Sequence, residues 1–356
     1  MRLGIRLLII VAFTLLLSSP RIISKGSADG GANHQGRNQH FGVSGGNVND
    51  ITTRFCCSGT LGSLVTDGTN QYILSNNHVL GLSGQASAGD DVSQPGRIDV
   101  GCALPPIVAD FTVAPQLGSS NVDAAIAQLR PNSMDTSGFI EDIGTISSAP
   151  RAPSVGLGVA KSGRTTGFTT GTIGSINTSV NVQYQQKCGS GRKFTVSYTN
   201  QVVINSSTFS AGGDSGSLIV TNDASHNPVA LLFAGSSTTT IGNPIGQVLT
   251  QVSNALGRTV SFVGSGQALS IETLASNSLL RQEMELANAV KNRHERFLME
   301  QPGVMGVGVG VPEGDSVEGA IVVYIDQNMG GRAPVLPQSL DNVRVRVVLS
   351  DTFVAR

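Results

Sequence analysis

The chain has no tryptophan, few aromatic residues (4%) and little charge: 13% of its 356 residues are Asp, Glu, Lys or Arg, and the net charge is −1. Basic residues are scattered until the C-terminal third, so no basic patch forms and nucleic acid is excluded as a partner on electrostatic grounds. Cysteine is limited to four positions, Cys56, Cys57, Cys102 and Cys188. None stands in a Cys-x-x-Cys pair near a histidine, which argues against zinc. The one long apolar run, residues 7–17 behind Arg2 and Arg6, is too short to span a bilayer comfortably. It suits the hydrophobic part of a secretory signal, read over residues 1–28. An uncleaved N-terminal anchor stays open, and with it the one route to a membrane.

What the chain has in plenty is glycine, 44 residues of it, with abundant Ser, Thr, Asn and Val. Short β-like runs punctuated by turn residues follow one another from residue 60 onward: 60–66, 72–75, 107–114 and 124–129, then 156–162, 171–176, 194–204, 217–221 and 229–234. Asp67-Gly68-Thr69-Asn70 reads as a hairpin turn, and Pro150 and Pro153 mark a junction between two similar halves. Many short strands without helical periodicity predict antiparallel sandwiches or barrels. Ile245–Leu256 reads as a closing helix. Residues 29–50 are polar, glycine-rich and aperiodic, and read as a linker with solvated His34 and His40. An amphipathic helix over 274–298 and three strands, 304–311, 320–326 and 343–349, predict a small α+β module at 270–356. Its alternating Val/Gly run is no nucleotide loop, because it lacks Lys-Ser/Thr and its glycines recur every second residue.

Four cysteines suit an oxidising, extracytoplasmic compartment. Adjacent cysteines rarely bond to each other. Cys102 is therefore expected to pair with Cys56 or Cys57, closing a loop around His78 that contributes about 4 kcal/mol by loop entropy.

The chemistry gathers at Ser210-Ala211-Gly212-Gly213-Asp214-Ser215-Gly216-Ser217. A serine that attacks a carbonyl needs an exposed hydroxyl on a tight turn, a base to take its proton, and N–H donors for the oxyanion. Ser215 between glycines meets the first demand. Of the five histidines, His78 alone ends an apolar strand; His226 lies in a polar turn and His294 in the charged helix. His78 in turn needs a carboxylate to set its tautomer. Asp123 opens the apolar run 124–127 and is the first candidate, ahead of Asp110 and then Asp99.

Leu74-Ser75-Asn76-Asn77-His78-Val79-Leu80, Val122-Asp123-Ala124-Ala125-Ile126-Ala127, Ser162-Gly163-Arg164-Thr165-Thr166-Gly167 and Gly212-Gly213-Asp214-Ser215-Gly216-Ser217 together resemble chymotrypsin/trypsin-like serine peptidases, nearest to their secreted bacterial branch. The resemblance covers roughly residues 55–262 and keeps the order His, Asp, Ser. It implies a mostly β fold of two six-stranded antiparallel barrels, about 51–150 and 151–262, with the site in the cleft between them. Carried over by position, His78 is base then acid, Asp123 orients it, Ser215 is the nucleophile, and the N–H groups of Gly213 and Ser215 form the oxyanion hole. Asp214 is a structural loop residue. The pocket base falls at Phe209 and its walls at Phe233, Ala234, Gly235 and Ser236; with no carboxylate there, a neutral, small side chain is expected in substrates. An α/β-hydrolase elbow fits less well, because position 217 is serine where glycine is needed. The C-terminal run resembles, more weakly, a small module that accompanies some bacterial trypsin-like proteins.

The expectation is thus a secreted serine endopeptidase acting on protein or peptide, with no cofactor and no metal. The alternative is a silent or self-processing protein of the same fold that serves as a binding scaffold.

Overall fold

The computed structural model describes residues 34–266, 278–312, 318–332 and 334–355; the expected signal segment at 1–28 lies outside them. The fold is mostly β, with two antiparallel rings of strands side by side. In the first ring Val43–Asn47 pairs with Gly59–Leu61, which bends at Gly62 and runs on as Ser63–Thr66. Gln71–Ser75, Ala125–Leu129, Ile107–Val113 and Asp91–Ser93 follow, and the last returns to Val43–Asn47. The bend at 62 requires glycine: a Cβ there would lie 2.0 Å from the Gly216 carbonyl oxygen. The corner of this ring thus touches the Ser215 loop directly.

The expected hairpin turn forms at 67–70, where Asp67 Oδ1 accepts the N–H groups of Thr69 (2.8 Å) and Asn70 (2.7 Å), and Gly68 takes φ +88°. β-Branched and aliphatic residues fill the ring: Val43, Leu61, Leu64, Ile73, Leu74, Val108, Ala125 and Ile126 are all fully buried. At roughly 1.5–3 kcal/mol for each large aliphatic side chain, this burial is what holds the ring closed.

The second ring runs Gly158–Lys161, Leu218–Thr221, Pro228–Gly235, Thr239–Pro244, Ser190–Asn205 and Thr169–Lys187, and the last closes on Gly158–Lys161. Helix Ile245–Leu256 follows, with Ile245, Val248 and Val252 buried in the same core as Leu61, Leu64 and Ile73, and ends on Gly257 in the left-handed region (φ +73°), where an Asp or Leu would be strained.

Two expectations need correction. Residues 29–50 are not a linker over their described part. Val43–Asn47 is a buried strand of the first ring, and buried His34 reaches Ser162 Oγ and Asp142 Oδ2, each at 3.1 Å. The polar, glycine-rich text reflects tight packing: a Cβ on Gly45 would lie 2.4 Å from Leu61 Cγ. Nor is the C-terminal α+β region a sheet of its own. Helix Ser278–Met299 and strands Val304–Gly310, Ala320–Asp326 and Val343–Ser350 form as expected, but Val304–Gly310 pairs with the middle of Thr169–Lys187 and extends the second sheet. The Val/Gly alternation explains this. Val307 and Val309 sit under helix residues Ala287 and Val290, while Gly308 and Gly310 let the strand close on the hairpin, since a Cβ on either would fall 2.3 Å from Thr178 Oγ1 or 2.5 Å from the Gly174 oxygen.

The cysteines form Cys56–Cys102 and Cys57–Cys188. The second ties the tip of the long hairpin Thr169–Lys187/Ser190–Asn205 to the first ring. No helix among the described residues is long and apolar enough to cross a membrane.

Candidate active site

His78 stands on one helical turn, Asn77–Leu80, that starts where strand Gln71–Ser75 ends. Asp123 stands before the neighbouring strand Ala125–Leu129, so the strand pairing itself brings the two together. The Asp123 carboxylate grips His78 twice: Oδ2 lies 2.6 Å from Nδ1, and Oδ1 accepts the His78 N–H at 3.1 Å. The backbone around Asp123 is pinned as well, its carbonyl by Asn76 Nδ2 (2.7 Å) and its N–H by Asn243 Oδ1 (2.9 Å). The other two carboxylates weighed from the sequence are held elsewhere, Asp110 by Arg130 (2.6 Å) and Asp99 by Arg164.

Asp123 is fully buried, and a buried carboxylate is costly without donors. The long hairpin supplies one more. Tyr184 Oη donates to Asp123 Oδ2 at 2.8 Å and is itself 2.6 Å from Tyr198 Oη. Burial, and then the charge of Asp123, push the Tyr184 phenol well above its ordinary range, so it stays a donor. With Nδ1–H committed to the carboxylate, the imidazole's lone pair is on Nε2.

Ser215 arrives from the second ring. Its Oγ donates to the Phe233 carbonyl at 3.3 Å. The loop conformation depends on glycine: Gly213 has φ +99° and Gly216 φ +94°. Behind it lies a second buried carboxylate, Asp214, that accepts from the N–H of Ala211 (2.9 Å), Thr165 (2.8 Å) and Thr166 (3.2 Å) and from Thr166 Oγ1 (2.7 Å). Lys161, fully buried, stands 3.5 Å from it. The N–H groups of Asp214, Gly216 and Ser217 are taken by carbonyls within the fold. Those of Gly213 and Ser215 make no hydrogen bond among the described residues, and two such donors on one turn fit an anion.

His78 and Gly213 both line a cavity of about 320 Å³, together with Asp50, Ser58, Arg164, Tyr184 and Ala355. Asp50 is pushed up to about 6 by burial, against the opposing pull of His78. Its neighbours Cys57 and Cys188 are joined in a disulfide, so that group offers no thiolate to a metal.

Phe209 is not among that lining. It lies in the core of the second ring with Val159, Ile173 and Ile219. Phe233 packs on Tyr198 at 4.9 Å between ring centroids. Ala234 and Gly235 are strand residues paired with Ala355 and Val354, and Ser236 Oγ meets Ser350 Oγ at 2.6 Å. Tyr184, Asn243 and Lys161 went unrecognised in the sequence. For Tyr184 a signal existed: Val180, Val182 and Tyr184 alternate with Asn181 and Gln183, which extends the strand past residue 176 and aims the phenol inward.

No family model matches the chain, and no curated protein matches it. Solved structures do. A glutamic-acid-specific serine protease that uses a histidine triad in substrate binding is 21% identical, over 62% of this chain and 98% of its own, with a TM-score of 0.43. Protease A of Thermobifida fusca is 19% identical (58% and 92% covered, TM-score 0.40), and a Cellulomonas bogoriensis chymotrypsin 16% (64% and 99%, TM-score 0.42). The chain is similar to these bacterial chymotrypsin-like serine proteases; likeness at this level concerns the course of the chain and not its chemistry.

Proposed function

We propose that the protein is an exported serine endopeptidase. The observation that carries this reading is the double grip of buried Asp123 on His78, beside a cavity that Gly212 and Gly213 of the Ser215 loop also line. In the proposed reaction Ser215 Oγ attacks a peptide carbonyl while His78 Nε2 takes its proton. The N–H groups of Gly213 and Ser215 receive the oxyanion. His78 then gives the proton to the leaving amine, and water releases the acyl group by the same route. Asp123 keeps the imidazole in the required tautomer and balances its charge. Two disulfides support an oxidising, extracytoplasmic location.

Fluorophosphonate labelling tests the assignment. Wild type is expected to label, and Ser215→Ala to lose both labelling and peptide hydrolysis, the latter by about 10⁶-fold in kcat. Labelling of the alanine variant sinks the reading. The self-processing alternative is favoured by one observation, the position of Ala355 in the cavity wall. Terminal sequencing of wild type beside Ser215→Ala decides it.

A further inference from the structure

The last strand of the chain, Val354–Ala355, pairs with two others at once. It is antiparallel to Pro228–Gly235, with Ala355 opposite Ala234 and Val354 opposite Gly235, and parallel to Thr169–Lys187 through Val354 and Gln183. It therefore fills the slot between Pro228–Gly235, the strand that carries the Phe233 carbonyl, and the hairpin arm that carries Tyr184. Ala355 reaches the cavity lined by His78 and Gly213. A peptide continuing in this register sets its next residue opposite Phe233, whose carbonyl accepts from Ser215 Oγ.

The approach to the slot is firmly anchored. Phe353 is fully buried among Phe233, Met305, Tyr324 and Val180, and its carbonyl accepts the Gln183 N–H at 2.9 Å. Asp351 is bound by Ser237 Oγ and by Gln327 Nε2 (2.6 Å).

Resting on the catalytic reading above, we propose that residues 351–355 of this chain occupy the substrate slot in cis and keep the site closed to peptides until displaced. An extended acyl-side peptide needs the same backbone groups of Ala234 and Gly235 that the tail already uses. A substrate must therefore compete with a tethered ligand, and a short tether gives an effective concentration in the millimolar range.

The test compares the full chain with a chain ending at Phe353, which keeps the core aromatic. For a peptide amide with small neutral residues, kcat/KM is expected to rise about tenfold, the ratio of an effective concentration of about 1 mM to a free-peptide Kd of about 0.1 mM. Unchanged kcat/KM with equal fluorophosphonate labelling overturns the proposal. In the Ser215→Ala background, a fluorescent peptide of small neutral residues is expected to bind the shortened chain and not the full one. Equal binding to both also overturns it, and this readout holds even if Ser215 is no nucleophile. Should the shortened chain misfold, Val354→Pro in the full chain removes a ladder N–H while sparing Phe353, and is expected to raise peptide binding by roughly threefold; no rise refutes the inference.

Discussion

Two fully buried carboxylates, Asp123 and Asp214, flank the cavity and do different work. Asp214 faces the fully buried amine of Lys161, and its backbone donors lie on its own loop and on 165–166. That arrangement is closed: it fixes a loop and has nothing left to respond with. Burial lowers the Lys161 pKa, and the contact with Asp214 opposes that shift. Asp123 faces a histidine, whose charge is conditional, and a phenol that cannot ionise there. Its partner can take up and give back a proton without the carboxylate losing its donors. In the proposed mechanism the same residue type thus serves as a strut in one place and as a guide for proton transfer in the other, according to whether its partner is a lysine or a histidine.

Breaking each side separates the two roles. Asp123→Asn is expected to lower kcat/KM by about 10⁴-fold through the wrong imidazole tautomer, with the fold kept; steady-state hydrolysis with circular dichroism reads this, and full activity would put Asp123 outside the mechanism. Lys161→Met leaves Asp214 buried without its cation and is expected to cost about 3 kcal/mol in urea unfolding. Partial recovery in Lys161→Met/Asp214→Asn would show that the loss is electrostatic.

A third carboxyl sharpens the contrast. Asp50 lacks such a donor set, and burial raises it to about 6 from 3.8. The folded state then holds a proton more tightly than the unfolded one, so Asp50 favours folding below about pH 4 and loses that favour as pH rises through about 6. Asp50→Asn is expected to gain about 2 kcal/mol of stability at pH 8, with the gain shrinking towards pH 4; the figure is discounted for partial exposure. The smallest effect belongs to Tyr184→Phe. Loss of one hydrogen bond to a charged group is expected to lower kcat about tenfold with KM unchanged. A change in KM alone would instead place Tyr184 in substrate binding.

The contact of Asp123 with His78 was legible because each stands at the junction of an apolar strand and a polar turn, where local text marks constraint. Strands such as Ala320–Asp326 and helix Ile245–Leu256 were legible from their periodicity, to the residue. Val43–Asn47 was not, because Ser-Gly-Gly-Asn in a tight wall reads like Ser-Gly-Gly-Asn in a loop. The length of the hairpin escaped notice because glutamines and asparagines on its solvent face weaken the alternation that Val180, Val182 and Tyr184 maintain.

By itself the sequence determined the mostly β body, the turns and the candidates proposed for acyl-transfer chemistry, since these follow from nearest-neighbour patterns along the chain. Tertiary structure alone decided that Cys57 bonds to Cys188 and that the final strand lies beside Ala234 and Gly235. Each of those is a pairing between segments far apart in sequence. Only the closure of the two rings makes one partner near and the others distant.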